Sequence, residues 1–119
     1  MNNQEAFTTV ARHLLTQKER ALNHNPYNPS NPLCAYRAED GKKCAIGCLI
    51  PDDLYVKEME DLPVRRLITD FPNIALLFKD VDISLLKKLQ LVHDDQRDIT
   101  PWQIQLRRIA EEFKLQWEL

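Results

Sequence analysis

The sequence has little glycine, no long apolar run and no large excess of charge of either sign. Only 2 of its 119 residues are glycine, which argues against a low-complexity chain and against most all-β folds. No apolar run approaches the roughly 20 residues that a membrane-spanning helix needs. The 16 basic and 18 acidic residues leave a net charge of −2, which argues against a strongly basic nucleic-acid-binding protein.

Cysteine is also scarce, and its number bears on the compartment. The three cysteines, Cys34, Cys44 and Cys48, are an odd number, which argues against a disulfide framework. The N-terminal residues have neither a basic region nor an apolar core, so we expect no signal peptide. Together these features are typical of an intracellular chain with reduced thiols.

Helical periodicity dominates what is present. Apolar residues recur at helical spacing near the N-terminus and predict a helix over residues 4–22. Proline and capping patterns predict further helices in the remainder, 51–119. These cover residues 52–59, 62–70, 73–79, 83–95 and 101–116. The sequence therefore predicts one α+β domain, 1–119, that is mostly helical with about five or six helices.

An Asn/Pro-rich connector and a β-hairpin interrupt this helical pattern. Residues 23–32 carry three Asn-Pro pairs, and proline at every third position favours a polyproline II conformation. We favour a stiff connector, with a ligand strip for an aromatic groove, presenting Tyr27, as the alternative. Residues 33–50 are predicted to form the hairpin, because Asp40-Gly41 is typical of a two-residue hairpin turn.

The cysteines and one histidine form a candidate zinc set. Zinc uses cysteine and histidine ligands, and the four candidates are Cys34, Cys44, Cys48 and His93. The predicted hairpin turn pairs Arg37 with Cys44, and this register argues against the zinc set. It places Cys34 on the strand face opposite the other two cysteines. We therefore expect no cofactor, with zinc as the alternative.

Some of these residues also suggest a thiol-dependent hydrolase or transferase. Cys44 or Cys48 would be the nucleophile and His93 the base. His93 lies inside an apolar helix stripe, however, where a histidine is more often a hydrogen-bonded core residue. Asp94 is expected to point about 100° away from it, so no local carboxylate would orient the imidazole. We favour no catalytic residue, and the sequence leans against an enzyme.

Two motifs carry a resemblance to known sequences. The first consists of Cys34-Ala-Tyr36-Arg37, Gly41-Lys-Lys-Cys44-Ala-Ile-Gly-Cys48-Leu-Ile-Pro51-Asp52 and Tyr55. The second consists of Leu89-Gln-Leu-Val-His93-Asp94, followed by Trp102 and an amphipathic helix. Together they resemble a group of short bacterial and phage proteins over roughly residues 34–115. No activity is attached to that group. The resemblance implies a cytoplasmic accessory protein, in keeping with a phage or other mobile element.

The resemblance also implies that polar residues converge between the hairpin base and the helix 83–95. They would form either a buried structural network, which we favour, or a small polar pocket. Basic residues at the hairpin tip and the exposed connector could add contacts. The candidate binding residues are Tyr27, Tyr36, Arg37, Lys42, Lys43, Asp52, Tyr55, His93 and Asp94.

Size, near-neutral charge and the lack of a convincing catalytic set favour a small non-enzymatic binding or regulatory protein. It would act through protein–protein contact, and a phage-borne inhibitor of a host system would fit. We expect a protein partner, and neither nucleic acid nor a membrane. Three apolar residues off the main helix stripes, Leu91, Ile104 and Leu115, could form a homodimer interface, so monomer and homodimer both stay open.

Overall fold

The computed structural model describes residues 1–95 and 97–119. Within them, five α-helices and one pair of antiparallel strands confirm the α+β class. The helices are α1 (Asn3–Gln17), α2 (Val64–Asp70), α3 (Pro72–Leu77), α4 (Ile83–Asp94) and α5 (Trp102–Glu112). The strands are β1 (Leu22–Asn23) and β2 (Leu33–Cys34), and two 3-10 turns span Gly47–Leu49 and Lys57–Met59.

Helix α1 organises the hydrophobic core. It contacts α4, α5 and the first 3-10 turn, and its apolar stripe of Phe7, Val10 and Leu14 is fully buried. Helix α4 packs in turn on α2 and α5 and buries Leu85 and Leu89 completely. The helices therefore form a frame against which the irregular segment between α1 and α2 is held.

Helix α1 ends earlier than the predicted 4–22. Lys18 takes a left-handed φ of 63°, and its N–H donates to the Leu14 carbonyl oxygen, which closes the last turn. The chain then extends, so that Ala21 and Leu22 serve the strand pair instead of the helix. The apolar periodicity continued past the point where the backbone leaves the helix.

The strand pair also lies earlier than the predicted hairpin at 33–50. Strand β1 pairs with β2, and Leu22 lies opposite Cys34. The Asn/Pro-rich residues therefore form the loop that joins two paired strands. The strands are only two residues long because the prolines of the loop between them have no backbone N–H to donate to a longer ladder of hydrogen bonds.

The turn at Asp40-Gly41 forms, but in a different register. Arg37 pairs with Lys43 and not with Cys44, so that pairing prediction was wrong. Gly41 takes a left-handed φ of 92°, and its N–H closes the turn with a 3.0 Å hydrogen bond. A three-residue loop ending in a left-handed glycine thus replaces the two-residue turn.

The predicted second strand of that hairpin is a helical turn. The Cys48 N–H donates to the Cys44 carbonyl oxygen at 3.1 Å, and Ile46 has right-handed helical φ and ψ of −73° and −38°. Gly47 lies against the backbone of Tyr36, where a Cβ atom would lie 1.9 Å from the carbonyl oxygen. This close approach requires glycine and brings the turn beneath the preceding chain.

The remaining helices follow the predicted order with small differences. Helix α4 is capped by Asp82, whose side chain accepts the Ser84 N–H, and α5 ends at Glu112, short of 116. The helix predicted at 52–59 is replaced by a turn and the second 3-10 turn, because Val56 is extended and interrupts it. Among the described residues, none of the helices has the length and apolar character needed to cross a membrane.

Candidate functional site

His93 is fully buried in α4, and both of its ring nitrogens have partners. The backbone N–H of Ala21 donates to His93 Nε2 at 2.9 Å, so Nε2 must be the unprotonated nitrogen. Nδ1 then carries the proton and donates it to Asp94 Oδ1 at 2.6 Å. These two hydrogen bonds fix one neutral tautomer and tie α4 to the segment that enters β1.

The Asp94 carboxylate is the centre of this network. Gln90 Nε2 donates to both of its oxygens at 3.0 Å, and Gln90 Oε1 accepts the Ile46 N–H at 3.0 Å. Burial raises the pKa of Asp94, but the hydrogen bonds from His93 and Gln90 outweigh it and the pKa lies below its usual range. The expectation that no local carboxylate orients His93 was therefore wrong. The two side chains turn toward each other at the last turn of α4.

Cys34 joins this network from β2. Its sulfur, one His93 nitrogen and one Asp94 oxygen lie within 4.8 Å of one another. It is the one such three-residue group of possible metal ligands that the described part of the chain contains. Arg20 Nη1 donates to Cys34 Sγ at 3.9 Å. Burial and the nearby Asp94 carboxylate raise the pKa of Cys34 to about 11, so its thiol is protonated near neutral pH.

The hydrogen bonds of His93 limit what this cluster can do chemically. A zinc ligand set needs a thiolate and an imidazole nitrogen with a free lone pair. The Nε2 lone pair accepts the Ala21 N–H, and Nδ1 holds the proton that it donates to Asp94. Cys34, His93 and Asp94 could hold a metal ion only if one of these hydrogen bonds were given up.

Cys44 and Cys48 bond elsewhere. Cys44 Sγ accepts the Gly47 N–H at 3.3 Å, and the Cys48 thiol donates to the Ala45 carbonyl oxygen at 3.0 Å. Burial raises the pKa of each thiol to about 12. Neither cysteine forms a hydrogen-bonded pair with His93, and neither lies in the ligand group that surrounds it. The structure thus brings only Cys34 of the three cysteines to the histidine.

A second polar cluster surrounds Arg37. Its Nη1 lies 2.7 Å from Asp52 Oδ1, and its Nη2 donates to the Ile50 carbonyl oxygen at 2.7 Å. The guanidinium lies over the Tyr55 ring, with Cζ 4.7 Å from the ring centroid. Lys43 Nζ is 3.9 Å from the same Asp52 oxygen. Four of the predicted binding residues therefore meet here.

Glu60 holds this cluster together, and it was not among the predicted residues. Its two carboxylate oxygens accept the backbone N–H groups of Tyr36 at 2.9 Å and Arg37 at 3.1 Å, and one of them also accepts the Tyr55 hydroxyl. Burial and this hydrogen bond raise the pKa of Tyr55 to about 12. In the sequence Glu60 lies in an acidic run with Glu58, and no pattern distinguished the two.

The remaining predicted binding residues lie apart from one another. Tyr27 is 95% exposed on the loop between the strands. Lys42 forms ion pairs with Glu19 and Asp40 beside the turn. The Tyr36 hydroxyl donates to the Leu62 carbonyl oxygen. The predicted convergence is thus divided into the His93 cluster and the Arg37 cluster. Tyr27 and Lys42, which were predicted only as additional contacts, lie at two other positions.

A cleft of about 490 Å³ opens beside Cys34 and Asp94. Its other wall is formed by the segment that leads into α2. Leu91, on the exposed face of α4, lines this cleft and is itself 56% exposed. A second cleft of about 260 Å³, between α4 and α5, is lined by Leu91 as well. An exposed apolar side chain thus separates two depressions.

Comparison with known proteins adds no relative. No protein-family model matches the chain, and searches of curated proteins and of solved structures find no match either. The motif resemblance described above therefore stays a prediction.

Proposed function

We propose that this chain is a small non-enzymatic binding or regulatory protein whose contact surface is the face of α4 around Leu91. Leu91 supports this proposal most directly, because it is an exposed leucine that lines two clefts. Leu62, Pro63 and Val64 give the larger cleft an apolar wall. An apolar centre inside a polar margin is typical of protein–protein contact surfaces.

Charged side chains supply the polar margin around Leu91. Lys87 and Asp94 lie on the larger cleft, and Lys88 and Asp95 lie on the smaller one. Because the lysine and aspartate charges are of opposite sign, they give this surface no strong electrostatic potential of either sign. Such a rim suits a protein partner better than a phosphate backbone, which would need a cluster of cations.

The three cysteines and His93 support a binding function over thiol catalysis. A thiol-dependent hydrolase or transferase needs a thiolate and an imidazole nitrogen that is free to take a proton. The pKa of Cys34 is raised to about 11 and those of Cys44 and Cys48 to about 12. Both His93 nitrogens are used in internal hydrogen bonds. The hydrogen bond from Ala21 to His93 holds α4 against the segment that enters β1.

The narrower form of the proposal places the protein in the cytoplasm, as an accessory or inhibitor protein of a phage or other mobile element. This form rests on the motif resemblance alone. The partner is then a protein of the host cell or a second copy of the chain. Ile104 on α5 is 45% exposed but lines neither cleft, so the proposed surface does not include it.

The test compares two charge substitutions at exposed leucines. Leu91→Glu alters the proposed surface, whereas Leu76→Glu on α3 alters a leucine that is 65% exposed and lines neither cleft. Tagged wild-type and variant proteins are used to capture partners from the native host, and their oligomeric state is measured by light scattering. Circular dichroism checks that both variants fold.

We expect a stoichiometric protein partner, or a homodimer, with the wild type and Leu76→Glu. We expect Leu91→Glu to weaken this association by roughly 30-fold, as for a central interface residue worth about 2 kcal/mol. Undiminished association of Leu91→Glu would contradict the placement of the surface. A wild-type protein that stays monomeric and captures nothing would contradict the function itself.

A further inference from the structure

The Arg37 cluster combines an exposed carboxylate with two cations. The Asp52 side chain is 86% exposed, yet its Oδ1 lies 2.7 Å from Arg37 Nη1 and 3.9 Å from Lys43 Nζ. The Arg37 side chain is only 19% exposed. A solvent-exposed carboxylate therefore lies across two cations, one of which is largely buried and fixed.

Arg37 is held in place by groups other than Asp52. Its Nη2 donates to the Ile50 carbonyl oxygen at 2.7 Å, and its guanidinium lies on the Tyr55 ring. Its backbone N–H donates to Glu60 at 3.1 Å. Loss of Asp52 would thus leave the guanidinium oriented as it is, and preorganised donors bind an anion at a lower entropic cost.

The donors of Arg37 are not all used. Its Nε atom is buried and has no hydrogen-bond partner within residues 1–95 and 97–119. Glu60, the other acid of this cluster, directs its oxygens to backbone N–H groups and to the Tyr55 hydroxyl. Asp52, and not Glu60, is therefore the acid that contacts Arg37 Nη1 and the Lys43 ammonium.

We propose that Arg37 and Lys43 form a binding site for a phosphate group, either free phosphate or a phosphate monoester, and that the Asp52 carboxylate occupies this site as an internal stand-in. A guanidinium offers paired donors that match phosphate oxygens, and a lysine ammonium adds a point charge. A phosphate group carries about −1.5 to −2 charges at neutral pH, against −1 for the carboxylate. The phosphate displaces Asp52, which turns out into solvent.

The experiment titrates the protein with O-phosphoserine and with inorganic phosphate while the ¹H–¹⁵N signal of Arg37 Nε is followed by NMR. Sodium chloride at equal ionic strength corrects for screening. The variants are Asp52→Asn, which removes the competing charge, and Asp52→Asn combined with Lys43→Gln. Asp52→Asn combined with Lys79→Gln removes an exposed lysine outside the cluster and is the control with matched charge.

We expect a saturable shift in the wild type and about three- to tenfold tighter binding in Asp52→Asn, since one competing carboxylate is gone. Adding Lys43→Gln should reverse this gain, whereas adding Lys79→Gln should not. Tighter binding of O-phosphoserine than of inorganic phosphate would identify a phosphorylated side chain as the ligand. Equal binding would identify free phosphate. Equal affinities of wild type and Asp52→Asn, or no saturable shift in either, would overturn the proposal.

Discussion

Two stretches of this chain satisfy their backbone hydrogen-bonding groups in different ways. From Val64 to Glu112 the chain is mostly helical, whereas between α1 and α2 it forms two-residue strands and short 3-10 turns. In the helices, the backbone groups bond one another along the axis. In the irregular stretch, side chains satisfy them: Glu60 accepts two backbone N–H groups, Gln90 accepts that of Ile46, and Gln17 accepts that of Lys43.

Single residues therefore matter more in the irregular stretch than in the helices. A helix distributes its stability over many equivalent bonds, so that one surface side chain contributes little. In the irregular stretch, one carboxylate or one missing Cβ atom positions several neighbours.

Gly47→Ala should have the largest effect. The new Cβ atom would lie 1.9 Å from the Tyr36 carbonyl oxygen, and backbone would have to move. We expect a loss of about 3 kcal/mol or more in the free energy of unfolding, measured by urea denaturation. Gly41→Ala is the matched control, because its Cβ meets nothing within 4 Å and only its φ of +92° is strained. It should cost about 1–2 kcal/mol, and a reversed order would refute the packing argument.

Glu60→Ala should rank second. It leaves the N–H groups of Tyr36 and Arg37 without their charged acceptor, and we expect a loss of about 2–3 kcal/mol. Glu58→Ala removes an exposed glutamate from the same run and should change stability by less than about 0.5 kcal/mol. Thermal unfolding of both variants under identical conditions measures the difference. Similar costs would mean that Glu60 does not hold the cluster.

Asp94→Asn should change the pH dependence of stability. The pKa of Asp94 is below its usual range in the folded protein, so its contribution is present at neutral pH and is lost as pH falls below about 4. The substitution should cost about 1–2 kcal/mol at pH 7 and less in acid. Urea denaturation across this pH range gives the difference between the two proteins. A difference that stays constant with pH would contradict the assigned role.

Arg66→Ala on α2 should have the smallest effect. Its guanidinium pairs with Asp70 at 2.7 Å across one exposed helical turn. Such pairs contribute about 0.3–0.5 kcal/mol and are weakened by salt. We therefore expect a small loss of stability that disappears at high ionic strength. A loss comparable to that of Glu60→Ala would remove the contrast between the two stretches.

The same contrast separates what the sequence predicts from what it does not. The helix predicted at 83–95 is observed as Ile83–Asp94, because a periodic apolar stripe is a local signal. The hairpin at 33–50 was misplaced, because the register depends on one glycine conformation and on the fit of Gly47 against Tyr36. Such contacts between distant residues leave no periodic trace in the chain.

The candidate site shows the same limit. Arg37, Asp52 and Tyr55 meet in one cluster, whereas His93 and Asp94, which were expected to converge with them, form another. The acceptor role of Glu60 and the orientation of His93 by Asp94 were missed. Both features depend on the side-chain rotamers of residues at the end of a helix or 3-10 turn. Residue type and spacing in the sequence do not specify those rotamers.

The most direct test of the account measures how fast each native cysteine is alkylated by iodoacetamide as pH rises, with the sites resolved by peptide mass spectrometry. If the Cys34 and His93 group is structural and not catalytic, the Cys34 rate rises about tenfold per pH unit toward its pKa of about 11. Cys44 and Cys48 then react more slowly throughout. A rate that is already maximal near pH 7 at any of the three would reveal a thiolate nucleophile and contradict the account.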